Sequence, residues 1–470
     1  MNRVSLKLMQ TWVRLGPRFL PFADVATPDL PLSRLLRLSL FQVTVGMALV
    51  LLVGTLNRVM IVELDVPASL VGIMISLPLL FAPFRALIGF KSDIHESALG
   101  WRRVPFIFRG TLVQFGGLAI MPFALLVLSG GGESARYPIW VGHLGAGVAF
   151  LLVGAGLHTV QTIGLALATD LAPTESQPKV VGLMYVMLLL GMIVSAVIFG
   201  AALANFSPLR LIQVIQGCAL VTIVLNSIAA WKQEGRHAVR RNPAKRQPSF
   251  RESWDSFAQG GNAVRRLVSV GLGTMGFSMA DVLLEPYGGQ ILHLSVGATT
   301  SLTATLAGGG LIGLSLASRV LARGADPFRM ASYGAIAGIP AFFLVISASP
   351  LNEPFFFAAG TLMVGFGAGL FGHGTLTATM NLAPRNQVGL ALGAWGASQA
   401  VAAGLAIALG GVLRDIVATM PLHGDFGPAR GYMFVYGLEI VLLVLTLAAM
   451  APMIRSNKRM PISQSEALSS

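Results

Sequence analysis

Between residues 35 and 454 the chain alternates long apolar runs with short polar or charged stretches. The runs fall at about 35–62, 67–90, 105–129, 138–169, 178–204, 209–231, 264–288, 296–322, 328–348, 354–380, 387–413 and 431–454. Each is long enough for a helix to cross a ~30 Å hydrocarbon layer, which takes roughly 20 residues. Backbone N–H and C=O groups find no water inside lipid, so runs of this kind must form helices, which satisfy those groups internally. The pattern predicts an all-α polytopic membrane protein with twelve transmembrane helices. Composition agrees, with 54% hydrophobic and 11% charged residues and a mean hydropathy of +0.73.

The second half of the chain repeats the first. Gly46-Met47-Ala48 aligns with Gly276-Phe277-Ser278, and without a gap Leu64-Asp65-Val66-Pro67-Ala68 then meets Leu294-Ser295-Val296-Gly297-Ala298. Later, Asp170-Leu171-Ala172-Pro173 echoes Asn381-Leu382-Ala383-Pro384, and Val181-Gly182-Leu183 echoes Val388-Gly389-Leu390. Two parallel six-span halves joined by a long loop are the plan of the major-facilitator fold. The expected division is an N-terminal amphipathic segment at 1–34, a six-helix half at 35–231, a basic loop at 232–263, a second six-helix half at 264–454 and a tail at 455–470. Arg3–Leu15 reads as an interfacial helix, with Val4, Leu8, Trp12 and Leu15 on one face. Residues 18–35, rich in proline, read as an irregular connector. Ser249 and Glu252 form a capping box ahead of Phe250, Trp254 and Phe257, which predicts a short amphipathic helix in the central loop. Pro78 and Pro83 are expected to bend span 2.

The net charge of +13 is topological. The tails and even-numbered loops carry 26 of the 33 Lys and Arg, against four in the odd-numbered loops. Positive charge marks the cytoplasmic side, so both termini are expected there, with Ser129–Tyr137 and Thr419–Pro428 outside. Reporter fusions should accordingly report Pro243 and Gly424 on opposite sides of the membrane; the same side for both would overturn this topology. No nucleic-acid site is visible in this charge distribution. The first apolar run starts late and lacks a cleavage site, so no cleavable leader is expected. The one cysteine, Cys218, lies inside span 6 and is expected to be packing.

Ionisable groups inside spans are costly and mark functional sites. Arg58 with Glu63 in span 1, His158 in span 4, Asp281 and Glu285 in span 7, and His373 in span 10 are such groups. In the fold that the repeat implies, these four spans line the central cavity. Asp281 and Glu285 share a helical face at similar depth to Arg58, which predicts an ion pair from Arg58 to one of them across the halves; snorkelling to the surface is the alternative. His158 and His373 lie fifteen and eleven residues before Pro173 and Pro384, about one helical turn out of register. Each is either a hydrogen-bonded packing residue or a ligand for a metal or tetrapyrrole. Glu439 in span 12 has no evident partner. The loop between spans 2 and 3 holds Arg85, Gly89, Asp93, Gly100, Arg102 and Arg103, and resembles, with an insertion, the gating loop of major-facilitator transporters. There the acid would pair with arginines or a helix N-terminus.

The blocks RFLPFADVATPDLPLSRLLRLSLFQVTVGMALVLLVGTLNRVMIVEL and LPLLFAPFRALIGFKSDIHESALGWRRVP resemble the PucC/LhaA family, a bacteriochlorophyll-delivery branch of the major facilitators. The resemblance is dense from Arg18 to about Ser129 and continuous but diffuse beyond. It implies an assembly factor for bacterial light-harvesting antenna, handling bacteriochlorophyll as antenna polypeptides insert. The implied partners are antenna polypeptides, pigment-synthesis enzymes, insertion machinery and the lipid bilayer; the implied location is the bacterial inner, intracytoplasmic membrane. Arg58, Glu63, Arg85, Asp93, Arg102 and Arg103 match the family pattern, while Arg109 departs from it. The implied cofactor is bacteriochlorophyll, held transiently, with His158 and His373 as candidate ligands and no metal ion of the protein's own. No phosphate loop, zinc-spaced cluster or nucleophile with its base is present, so no enzyme is expected. Two alternatives stand beside the assembly factor: a proton-coupled secondary transporter, and a scaffold that binds no pigment.

Overall fold

A computed structural model of the chain describes residues 30–80, 88, 91–92, 101–130, 132–173, 176–234, 263–382, 388–420 and 427–457. Among them there are only helices and connecting loops, and 11 helices are long and apolar enough to cross a membrane. They are Leu32–Glu63 (span 1), Val104–Leu128 (span 3), Ile139–Leu171 (span 4), Lys179–Ala202 (span 5), Pro208–Ala230 (span 6), Val264–Gln290 (span 7), Val296–Leu321 (span 8), Pro327–Leu351 (span 9), Pro354–Asn381 (span 10), Ala394–Thr419 (span 11) and Gly427–Ile454 (span 12). Span 2 is Ala68–Leu80, with its continuation beyond residue 80 outside the described residues. Among the described residues, every apolar run of the sequence has a helix at its expected place. Outside the described residues lie Arg3–Leu15, the Ser249–Phe257 segment, Arg85, Gly89, Asp93 and Gly100.

Helix extends further than the pattern suggests at several points. Leu32–Leu38 is helical behind Pro31, so the connector ends four residues earlier than expected. The eleventh span continues to Thr419, because Leu413, Ile416 and Val417 keep the apolar stripe going past Arg414 and Asp415.

The halves meet through span 2 against span 11, span 5 against span 8, and span 1 against spans 7 and 8. The polar contacts that cross between halves gather at the end away from the termini. Ser69 N–H donates to Asp415 Oδ2 at 2.8 Å, Gln290 Nε2 to the Ile61 carbonyl at 3.4 Å, and Arg58 Nη2 to the Leu294 carbonyl at 3.2 Å. That end is closed. Beneath it, the Tyr287 ring packs edge-on against Tyr432 and Tyr436 with centroids 5.4 and 5.5 Å away, locking span 7 to span 12.

Candidate functional site

Two spans depart from regular α-helix just past the matched Gly46 and Gly276 blocks. Span 1 widens into π-helix over Val50–Leu56 and again over Val59–Glu63. Span 7 breaks into Ala263–Ser278, a 3-10 turn at Ala280–Val282, and Leu284–Gln290. A break at this depth frees backbone groups that lipid cannot satisfy. Neighbouring side chains take them up. Glu439, fully buried in span 12, accepts from the Ala280 N–H at 2.7 Å, and Asn57 Nδ2 donates to the Val282 carbonyl at 2.9 Å. Glu439, without an evident partner in the sequence, is thus the acceptor for an interrupted helix.

The break carries two carboxylates into a cavity of about 150 Å³. Its polar lining is Asp281, Glu285, Thr303 and Thr361, set among apolar side chains of spans 1, 5, 7 and 8. Thr303 Oγ1 donates to Glu285 Oε1, while Glu285 Oε2 is buried with no hydrogen-bond partner among the described residues. Glu285 is 4% exposed. Asp281 lies beside the Ser278 hydroxyl. Gly54 makes room here: a Cβ at that position would collide with the Glu285 carboxylate. Spans 1, 7 and 10 line this cavity as the fold predicts, but span 4 does not, and spans 5 and 8 do. Thr303 and Gly54 carried no charge to draw attention in the sequence; the glycine facing an intramembrane acid was the available signal.

Arg58 does not pair with Asp281 or Glu285. Its Nη1 bonds Glu63 Oε1 at 2.7 Å, five residues on along the same span. The π-helical winding explains this, since it brings positions i and i+5 over one another where α-helix would align i and i+4. The guanidinium lies on Gly289, where a Cβ would approach its carbon to 2.8 Å. At the same end, Arg414 is held by Asp415, Gln290 and Tyr432, with its guanidinium 4.7 Å from the Tyr432 ring centroid.

The end nearer the termini has its own charge cluster. Arg102 Nη2 and Arg103 Nε both reach Asp170 Oδ2, at 2.7 and 3.0 Å, and Arg103 Nη1 donates to Ser92. Three backbone N–H groups opening span 3, those of Arg102, Arg103 and Val104, converge on the carboxylate of Glu234. Asp170 and Glu234 therefore supply acids to this loop; Asp93, the acid the sequence singles out, lies outside the described residues, as do Arg85, Gly89 and Gly100. Arg109 is exposed and stacks over Phe106 at 5.8 Å.

His158 and His373 are each half-buried, past the midpoint of their spans toward the terminal side. Span 4 packs on spans 1, 2 and 3, and span 10 on spans 7, 8, 9 and 11, so the two histidines belong to separate halves. Neutral imidazole in apolar surroundings suits an axial ligand to a tetrapyrrole magnesium. Neither of the two cavities is built around these histidines. A second cavity of about 370 Å³, between spans 1, 3 and 6 beside Glu63 and Asp65, has no histidine in its lining, nor has the first. Pockets for drug-sized ligands run to roughly 300–1,000 Å³, so the first cavity falls below that range and the second lies near its lower end.

A sequence profile described as "PUCC protein" matches residues 55–458. The chain belongs to the PucC family. Protein PucC of Rhodovulum sulfidophilum is 66% identical over 420 residues, covering 89% of this chain and 92% of that protein. Protein PucC of Cereibacter sphaeroides is 60% identical over 456 residues, covering 97% and 98%. Among solved structures, a bacterial homologue of the human lysosomal transporter Spinster, inward-facing and occupied, matches with a TM-score of 0.65 and 14% identity, covering 91% of this chain and 98% of that one. A bacterial homologue of the iron transporter ferroportin, also inward-facing, matches with a TM-score of 0.64 over 90% and 98%. These likenesses place this PucC-family chain in the major-facilitator fold.

Proposed function

We propose that this chain is an assembly factor for bacterial photosynthetic antenna complexes, handling bacteriochlorophyll while antenna polypeptides enter the inner membrane, with both termini cytoplasmic. The observation that carries the proposal is identity of 60% with Protein PucC of Cereibacter sphaeroides along nearly the whole of both chains. A more distant relative, 26% identical over 424 residues, bears the name bacteriochlorophyll synthase 44.5 kDa chain in Rhodobacter capsulatus, which supports a link to the pigment. The work is binding and delivery rather than covalent catalysis. His158 and His373 would give the pigment's magnesium a neutral nitrogen ligand, at a contact apart from the two cavities, whose linings hold no histidine.

The test is made in an antenna-producing cell lacking this chain. Returning the wild-type chain should restore antenna absorption, and the purified protein should carry a bacteriochlorophyll spectrum. The double variant His158→Leu/His373→Leu should lose that pigment and most of the antenna, normalised to the amount of protein. Full pigment and full antenna in the double variant would remove both histidines as ligands. A transporter reading is favoured by one observation, the carboxylate-lined cavity at the seam between halves. It predicts normal antenna assembly without the chain but altered uptake of a solute.

A further inference from the structure

We propose that the cavity at Glu285 and Asp281 takes one monovalent cation, a proton or a sodium ion, and that its occupancy favours the arrangement closed at the end away from the termini. The inference stands apart from pigment handling.

The geometry is that of a built site. Two carboxylates from a broken helix enter a space of about 150 Å³. Glu285 is more than nine-tenths buried and lines that space, and its Oε2 has no hydrogen-bond partner among the described residues. An ionised carboxylate in that position loses its hydration with nothing in return unless positive charge or a proton replaces it. No basic side chain lines the cavity. Arg58, the guanidinium whose charge reaches Glu285, is bound to Glu63 and the Leu294 carbonyl. On the other side, Asp281 faces the buried Glu439 of span 12, a further acid. Spans 5, 8 and 10 present only Met192, Leu302, Thr303, Leu306 and Thr361, none titratable.

The surroundings also set the class of cation. Apart from the Met192 thioether, every polar ligand in the lining is oxygen, which favours a hard ion or a proton over a soft metal. Among the described residues no three His, Cys, Asp or Glu side chains gather to hold a metal, and divalent calcium wants six to eight oxygens. Discontinuous helices holding H⁺ or Na⁺ near a repeat interface are a recurrent membrane solution. The coupling follows from where the walls come from. Gly54 and Met192 belong to the first half, and Glu285, Thr303 and Thr361 to the second. Parting the halves at the closed end would let water reach Glu285 and remove the need for a bound cation. Filling the cavity stabilises closure, and emptying it favours opening.

The experiment uses the full-length protein in lipid nanodiscs. Infrared spectra are recorded against pH without sodium, and against sodium at fixed pH with potassium as control. Wild type is expected to show a buried carboxylic-acid C=O band that Glu285→Gln loses. If the band vanishes on raising pH and ignores sodium, the occupant is a proton; if sodium but not potassium removes it, the occupant is sodium. Thr303→Val, which keeps the acid but removes its hydroxyl donor, should hold the band to higher pH. Spin labels at Leu209→Cys and Leu351→Cys in a Cys218→Ser background report the separation of the halves. That separation should widen in wild type as the site empties and stay short in Glu285→Gln, the neutral mimic of the filled state. Identical infrared responses in wild type and Glu285→Gln would overturn the site. A separation indifferent to pH, sodium and Glu285→Gln would overturn the coupling.

Discussion

Glu63→Ala is expected to destabilise the protein more than Arg58→Ala, although the two substitutions break the same ion pair. The reason is unequal burial: the Arg58 side chain is 5% exposed and that of Glu63 36%. Removing Glu63 strands a guanidinium against Gly289 with, among the described residues, only the Leu294 carbonyl left to it. Breaking a buried pair from one side costs about 3 kcal/mol at the lower end of the usual range, which suits a pair with one partly wet member. Removing Arg58 leaves Glu63 free to turn to solvent, and the loss falls nearer ~1 kcal/mol, as for exposed pairs. The double variant Arg58→Ala/Glu63→Ala should therefore be more stable than Glu63→Ala alone. Thermal unfolding of detergent-purified variants measures the order. Glu285→Gln should rescue neither single variant, because its carboxylate is not the partner. A neutral Glu63→Ala, together with rescue of Arg58→Ala by Glu285→Gln, would restore the pairing across the halves.

That pair also marks where reading the sequence stops. The twelve runs, the repeat and the fold are legible because lipid permits few backbone solutions, and a helix of about 20 apolar residues is the simplest. The polar residues worth attention are legible for the same reason: Arg58, Asp281, Glu285 and Glu439 are conspicuous against apolar surroundings. Their partners are not. Partner choice for Arg58 turned on π-helical winding in span 1, which no residue pattern announces. Glu439 found its donor only because span 7 breaks at Met279, and neither Asp281 nor Glu285 in that run announces where the helix is interrupted. At the other end, the paired Arg102 and Arg103 stood out, yet the acids meeting them, Asp170 and Glu234, arrive from the end of span 4 and from the segment that follows span 6. A loop motif identifies one side of such a contact, and the packing of spans supplies the other.

Glu234 gives the second large effect. The helix opening at Val104 has no cap of its own, since Arg103 at its N-cap position offers no acceptor. Spans 6, 8 and 9 are capped locally by Ser207, Ser295 and Asp326. Span 3 instead borrows the Glu234 carboxylate, which takes the N–H groups of Arg102, Arg103 and Val104 at 2.8, 2.9 and 3.0 Å. Each is a charge-assisted bond worth roughly 1.5–3 kcal/mol taken singly, and an anion at a helix N-terminus adds to them. Because the bonds share one carboxylate and water can replace part of them, Glu234→Ala is expected to cost about 3 kcal/mol in total. It should also loosen span 6 from span 3, lowering the amount of protein that accumulates in the membrane. Glu234→Gln keeps an acceptor without the charge and should cost about 1 kcal/mol. The control is Glu133→Ala, which removes an exposed i,i+3 partner of Arg136 and should be near neutral. If Glu234→Ala unfolds at the same temperature as Glu133→Ala, the carboxylate does not anchor span 3. A graded series of Ala, Gln and wild type would instead locate the stability of the terminal-side cluster in that single acceptor, with the Arg102 and Arg103 contacts to Asp170 as its secondary support.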